Sequence, residues 1–162
     1  MALLHIMDYN IRFAEPKDVS GILSLINELA AFENEPDAVE INENYLLNHG
    51  FGANPSFQCF VAKVKSGEII GMALFYSRFS TWKGLTIHLE DLIVKSEHRK
   101  KGIGKALFER LLGYAKSEKI NRLEWVVLDW NSNAIKFYES YGATVFKEWR
   151  TVQMEREQIM NF

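Results

Sequence analysis

The chain is short of the features that would take it outside the ordinary globular class. It has one cysteine, Cys59, in 162 residues, so no internal disulfide can staple it. Cys59 lies in an apolar run and reads as a small buried side chain rather than a nucleophile. No apolar run is long enough to span a bilayer, and the N-terminus lacks the basic-then-apolar order of a secretory signal. The expectation is a soluble cytoplasmic protein with no membrane partner. A dominant charge sign is missing too. The 19 Lys and Arg against 21 Asp and Glu leave a net charge of -2, which argues against a nucleic-acid partner. The basic cluster at 98–101 is too local to change that. No repeat, linker or low-complexity tract is visible. What is present is 48% hydrophobic residues, with four Trp, six Tyr and eleven Phe. That is the composition of a packed domain, and the length suits one domain.

The chain is organised around 87–141. Ile87–Val94 reads as an apolar strand interrupted by Glu90 and Asp91. Ile103, Ala106, Leu107, Leu111, Leu112 and Ala115 then recur at helical spacing. The turn between them carries Arg99, Lys100, Lys101, Gly102, Gly104 and Lys105. A helix start offers N–H groups with no helical acceptor and the positive end of the peptide dipoles. Glycine lets a ligand come close to the backbone. A pyrophosphate suits such a cradle. The bland alternative is a helix start with a solvated basic face. The dinucleotide pattern fails because Leu107 stands where its third glycine belongs, and the Walker pattern fails because Ala106 follows Lys105.

Along the rest of the chain, Met1–Asp8 reads as an uninformative, flexible extension. Asn10–Ala14 reads as a strand and Asp18–Ala31 as a helix with Asp18 as its cap. Ile41–Leu47 reads as a second helix, ended by Gly50 or Gly52, with loop over His49–Ser56. Phe57–Lys65 and Glu68–Phe75 read as a hairpin about Ser66-Gly67. Ser77–Gly84 reads as a connection, Leu85–Lys95 as the next strand and Gly104–Lys119 as the long helix. Arg122–Leu128 reads as a strand, Ala134–Tyr141 as a helix closed by Gly142, and Thr144–Met154 as a last strand region. This alternation predicts one mixed α/β sheet with helices packed on it.

Arg99-Lys100-Lys101-Gly102-Ile103-Gly104 resembles the acetyl-CoA loop of the GCN5-related N-acetyltransferase superfamily. The likeness runs from about Ile11 to Gly142. Glu28–Glu33, His49–Gly52, Ser80–Gly84, His88–Asp91 and Leu128–Asn131 resemble, in order, blocks of the diamine and thialysine N-acetyltransferases. The resemblance implies a single domain over 10–155: a mixed, mostly antiparallel sheet flanked by helices, with two neighbouring strands splayed to admit acetyl-CoA. It implies a cofactor site at Leu92, Ile93 and Val94, at Arg99–Lys105 including Ile103, and at Asn131, Asn133, Ala134 and Tyr138. The Leu92 N–H would polarise the thioester carbonyl. Tyr138, in a Phe-Tyr-x-x-x-Gly pattern, would assist the departing thiolate. A homodimer is implied, with the aromatic C-terminal region as candidate interface.

The acceptor of such an enzyme is an amine, whose ammonium form, with a pKa of about 10, is not nucleophilic. A carboxylate can hold the cation and take its proton. By resemblance Glu90 is that base, Asp91 helps hold the positive end, and Phe32, Glu33, Trp82, Glu124, Trp125 and Val126 face the substrate. Adjacent strand residues point to opposite faces, so Glu90 and Asp91 share a pocket only if a bulge intervenes. A metal is not expected, because His88 and Glu90 lack a third ligand. Phe32 stands where polyamine-specific members have Tyr, and Ser80-Thr81-Trp82 where they have Asp-Pro-Trp. Both departures favour a short diamine or a thialysine- or lysine-like amino acid over a long polyamine. The rival readings are a peptide N-acetyltransferase with a through-open groove, and a non-catalytic acyl-CoA-binding module.

Overall fold

The structure, a computed structural model, describes residues 8–162. The extension expected over Met1–Asp8 therefore lies, but for Asp8, outside the described residues. The chain forms two compact units, one ending at Trp125 and one spanning Val126–Phe162.

The first unit is built on a five-stranded sheet in sequential order: β1 (Tyr9–Phe13), β2 (Gln58–Val64), β3 (Ile69–Ser80), β4 (Gly84–Val94) and β5 (Leu123–Glu124). The first four are antiparallel to their neighbours, and β5 pairs with β4 in parallel. Three helices belong to this unit: α1 (Val19–Phe32), α2 (Glu43–Phe51) and α3 (Ile103–Ser117).

The period-2 pattern of the strands sorts their side chains onto two faces. Cys59, Val61, Met72, Leu74 and Ile93 pack with Val19, Ile22 and Leu25 of α1 and Leu46 of α2. The opposite face packs under α3, whose Ile103, Leu107, Phe108 and Leu111 are buried. There Tyr114 of α3 lies against Phe60 and Phe75 at 5.9 and 5.4 Å between ring centroids. Gly21 allows α1 to sit directly on β3, since a Cβ there would come within 2.8 Å of Ile69.

Several predicted boundaries move for identifiable reasons. Asp18 does occupy the position before α1, but its side chain makes no cap bond. It is drawn instead to Arg12, whose Nη1 and Nη2 donate to it at 2.6 and 3.0 Å, and to the Glu15 N–H at 2.8 Å. Helix α2 starts later than predicted because Asn42 caps it, accepting from the Tyr45 N–H at 2.9 Å. It also runs through Gly50 to end at Gly52. The predicted connection Ser77–Gly84 is mostly strand. β3 continues to Ser80, and the turn is pinned by the Ser80 hydroxyl, which accepts from the N–H groups of Trp82 and Lys83 at 3.2 Å.

The predicted strand Arg122–Leu128 shrinks to two residues. Its pairing with β4 ends at His88↔Glu124, and β4 continues six residues past that point. In the second unit, α4 (Ser132–Glu139) is capped by Asn131, which accepts from the Ala134 N–H at 3.2 Å, and α5 (Arg156–Met160) follows. Thr144–Met154 is not a strand. It has no ladder partner among the described residues, and Phe146, Trp149, Val152 and Met154 stand exposed.

Candidate active site

The acidic pair is resolved by the ladder register. Phe75 pairs with Leu89 and Leu74 with Asp91, so Glu90 is an extra residue in β4 opposite no partner. Such a bulge shifts the face alternation by one. Tyr76 pairs with His88, so His88 and Glu90 lie on the α1 side before the bulge. Asp91 and Ile93 pair with Leu74 and Met72, so they lie on the α1 side after it. The condition set by the sequence is met, and Glu90 and Asp91 share one face.

Glu33, at the C-terminal end of α1, joins them. The Asp91 carboxyl is pushed up to about 7, first by burial and then by the charges of Glu90 and Glu33. Burial also raises Glu33. No ion pair to Asp91 occurs among the described residues. Tyr76 lies near Glu90 and is itself raised, by burial first and then by the Glu90 charge. The Glu90 side chain is 52% exposed. The arrangement is a partly dry negative face.

The other predicted acceptor residues divide. Phe32 lies under the Arg99 guanidinium, 5.1 Å from its ring centroid. Trp82, at the tip of the β3–β4 hairpin, is 78% exposed. Glu124 lies on the α1 side, as its pairing with His88 requires, but Arg78 holds it at 2.5 Å and Arg122 at 2.8 Å. Its charge is already matched. Trp125 packs edge-on against Phe108 of α3, at 5.6 Å between centroids. Val126 belongs to the second unit and is exposed.

The loop expected to cradle a phosphate is shaped by its backbone as much as by charge. Gly102 precedes α3 in the left-handed region, φ 80°, and offers no side chain to cap the helix. Lys100, at φ 60°, is left-handed as well. The two turn the loop so that its N–H groups can converge on an anion. A Cβ on Gly102 would meet nothing within 4 Å, and one on Gly104 only Val94 at 3.6 Å. The space above the loop is therefore open for a ligand. The basic side chains are less uniform than the sequence suggests. Arg99 Nε donates to the Val94 carbonyl at 2.9 Å, and its guanidinium lies 3.6 Å from Glu28. Lys101 donates to the Glu97 carbonyl at 2.9 Å. Lys105 lies 3.9 Å from Glu109. Arg99 and Lys101 thus hold the loop, and Lys100 is exposed.

The strand part of the cradle follows from ladder geometry. The Lys95 N–H bonds the Ile70 carbonyl. Hydrogen-bonded pairs alternate along an antiparallel ladder, so Ile93 and Asp91 point their backbone groups at β3. Leu92 and Val94 then point theirs at the opposite edge, where β5 has ended. The Val94 carbonyl, taken by Arg99, confirms the direction. The Leu92 N–H therefore faces the edge of β4 beyond the end of β5.

In the second unit, Tyr138 of α4 is buried, and burial pushes its phenol up to about 12. Phe137 packs on it at 5.3 Å and on Tyr141 at 5.4 Å. Asn133 is exposed and Ala134 half-buried. One set of possible metal ligands occurs among the described residues, Glu68, Glu97 and His98, within 4.8 Å of one another. Lys95 already pairs with Glu68, so a cation is present there without a metal. Clefts of about 280 and 310 Å³ open around Lys65 and Lys95. Neither includes a residue predicted for the site.

Sequence reasoning missed Tyr76 and His88. Drawing the β3–β4 register would have found them, since they face each other across the ladder next to Glu90.

A mixed sheet with a glycine turn at the start of the helix after β4 is the arrangement the resemblance implied, and known proteins agree. The Acetyltransferase (GNAT) family matches residues 22–143. The chain is 39% identical to a thialysine N-epsilon-acetyltransferase of Bos taurus, over 92% of this chain and 94% of that one. It is 28% identical to an L-ornithine N5-acetyltransferase of Arabidopsis thaliana, over 96% and 88%. An integron cassette protein of V. cholerae superposes with a TM-score of 0.77 at 24% identity, covering 96% of this chain and 97% of that one. The chain belongs to the GNAT acetyltransferase family and is an enzyme of that class, whose members use acetyl-CoA as cosubstrate. No helix among the described residues is long and apolar enough to cross a membrane.

Proposed function

We propose that the protein acetylates the terminal primary amine of a small cationic acceptor, a thialysine- or lysine-like amino acid or a short diamine. The observation that carries this is the bulge at Glu90, which puts Glu90 and Asp91 on one face, where the Glu33 charge also acts on Asp91 and no ion pair to Asp91 occurs among the described residues. The thialysine and ornithine acetyltransferases among its relatives act on amino acids with a terminal amine.

The ammonium group docks against Asp91 and Glu33, and its charge replaces the missing one. Glu90 takes one proton, directly or through water. The free amine attacks the thioester carbonyl, which the Leu92 N–H polarises, in a ternary complex without an acyl-enzyme. The cradle at Arg99–Lys105, with Leu92–Val94, Asn131, Asn133 and Ala134, holds acetyl-CoA, whose thioester supplies the acetyl group. Holding both reactants in one cleft supplies much of the rate. Tyr138, at about 12, stays protonated across the working range. A thiol ordinarily titrates near 8.5, so the phenol stabilises the departing thiolate as a hydrogen-bond donor rather than by complete proton transfer. Phe32, Trp82, Trp125 and Val126 shape the acceptor side, and Glu124, neutralised by Arg78 and Arg122, orients rather than attracts. The chemistry uses no metal. One transferase domain over 10–155, a homodimer and a cytoplasmic location complete the reading.

The test is acetyl transfer from acetyl-CoA to thialysine, lysine, ornithine, putrescine-length diamines, spermidine and a peptide panel. The amino acids and short diamines should lead. Turnover of peptides alone would transfer the protein to the peptide-acetylating reading, and turnover of nothing would defeat the proposal.

A further inference from the structure

Beside the proposed base stands a histidine that the reaction as derived does not use. His88 stacks on Tyr76 with ring centroids 5.2 Å apart and planes 25° off parallel. Its Nε2 lies 3.7 Å from Glu90 Oε2. Its Nδ1 is buried with no hydrogen-bond partner among the described residues. The side chain is 14% exposed, so one ring edge reaches solvent. A histidine kept for packing normally has its second nitrogen tied to a carbonyl or carboxylate, which fixes the tautomer. His88 has no such tie. The charged and titratable groups facing it are Glu90 on its own strand, Tyr76 on β3, and Glu124 on β5 with its partner Arg78.

We propose that His88 is the relay that clears the acceptor's proton from Glu90, acting through Glu90 rather than on substrate. This rests on the function proposed above. In the first step an ammonium N–H bond breaks and a Glu90 O–H bond forms, leaving the amine its lone pair. In the second, that O–H bond breaks and an Nε2–H bond forms on a ring whose other proton is on Nδ1. Glu90 is again a carboxylate and His88 an imidazolium. The imidazolium then gives a proton to water at its exposed edge. The gap of 3.7 Å closes by a small swing of the half-exposed Glu90 side chain. Tyr76 holds the ring in place by stacking on it.

The experiment uses His88→Phe, which keeps the stack on Tyr76, and His88→Gln, which keeps a polar group. Amine acetylation is followed in weak, non-nucleophilic buffer and again with added imidazole. Both variants should lose about tenfold or more in kcat, with KM for amine and for acetyl-CoA within about twofold of wild type. Imidazole should restore much of the loss and leave wild type unchanged. A folded variant with wild-type kcat in weak buffer, or a slow one that imidazole does not help, overturns the relay. A wild type that acetylates no amine would sink the function instead, which keeps the two failures apart.

Discussion

Two aspartates on the α1 side of the sheet, one buried and one half-buried, have met opposite fates. Asp18 is 3% exposed. Burial alone would raise it, but the Arg12 hydrogen bonds, the Glu15 N–H and the charges of Arg12 and Lys63 hold it below the usual carboxylate range. Asp91 is half-buried, and it faces Glu90 and Glu33 instead of cations and rises to about 7. A buried charge needs compensation. Asp18 finds it within the chain, as a structural acid does. Asp91 finds the reverse, and under the proposed function an ammonium substrate brings the compensation it lacks. On that reading the difference separates a carboxylate that holds the fold from one that holds a ligand.

The sharpest break of this comparison is kinetic. Glu90→Gln should lower kcat by about 10²–10⁴-fold while leaving acetyl-CoA affinity, read by titration calorimetry, within about twofold. Arg12→Ala should spare the chemistry and cost about 3–5 kcal/mol of stability in denaturant melts, because it strands a buried carboxylate. Asp91→Asn should do the opposite.

The sign for Asp91 follows from linkage. Its folded value of about 7 lies above the ordinary 3.8, so the folded chain holds a proton that the unfolded chain gives up between those values. The penalty is absent below pH 4, grows through that window and is complete above pH 7. Asn in its place should therefore stabilise the protein by up to about 4 kcal/mol above pH 7 and change nothing below pH 4, read from melts across pH. Asp18 runs the other way. Its lowered value contributes stability above the ordinary range that disappears as the pH falls, and Asp18→Asn should erase that acid-side loss.

Smaller effects sharpen the contrast between loop and face. Gly102→Ala places a Cβ in a left-handed backbone at about 1–2 kcal/mol. It should weaken acetyl-CoA binding severalfold with amine KM unchanged. Glu124→Gln, which removes a charge already matched by Arg78 and Arg122, should move amine KM by less than about threefold.

Much of this was legible in the residues. The two-residue period of Phe57–Lys65, the helical period after Gly102 and the Ser66-Gly67 turn all give elements close to those observed, because each carries its own local signal. The strand expected over Thr144–Met154 and the length of the strand after Arg122 were not legible, since extended backbone depends on a partner that local sequence does not specify. The bulge at Glu90 is hidden for the same reason. It is a mismatch between two strands, and neither shows it alone. At the site, the acids and the glycine loop were visible as residue types. The pairing of Glu124 with two arginines, the seating of Arg99 over Phe32 and the Tyr76–His88 stack came only with the register.

The most direct measurement is the titration of the Asp91 carboxyl by carbon NMR in selectively labelled protein, with and without a saturating, unreactive diamine analogue. Free protein should show a midpoint near 7 that falls toward the usual carboxylate range when the cation binds. A midpoint already in the usual range, or one that the cation does not move, would contradict the account.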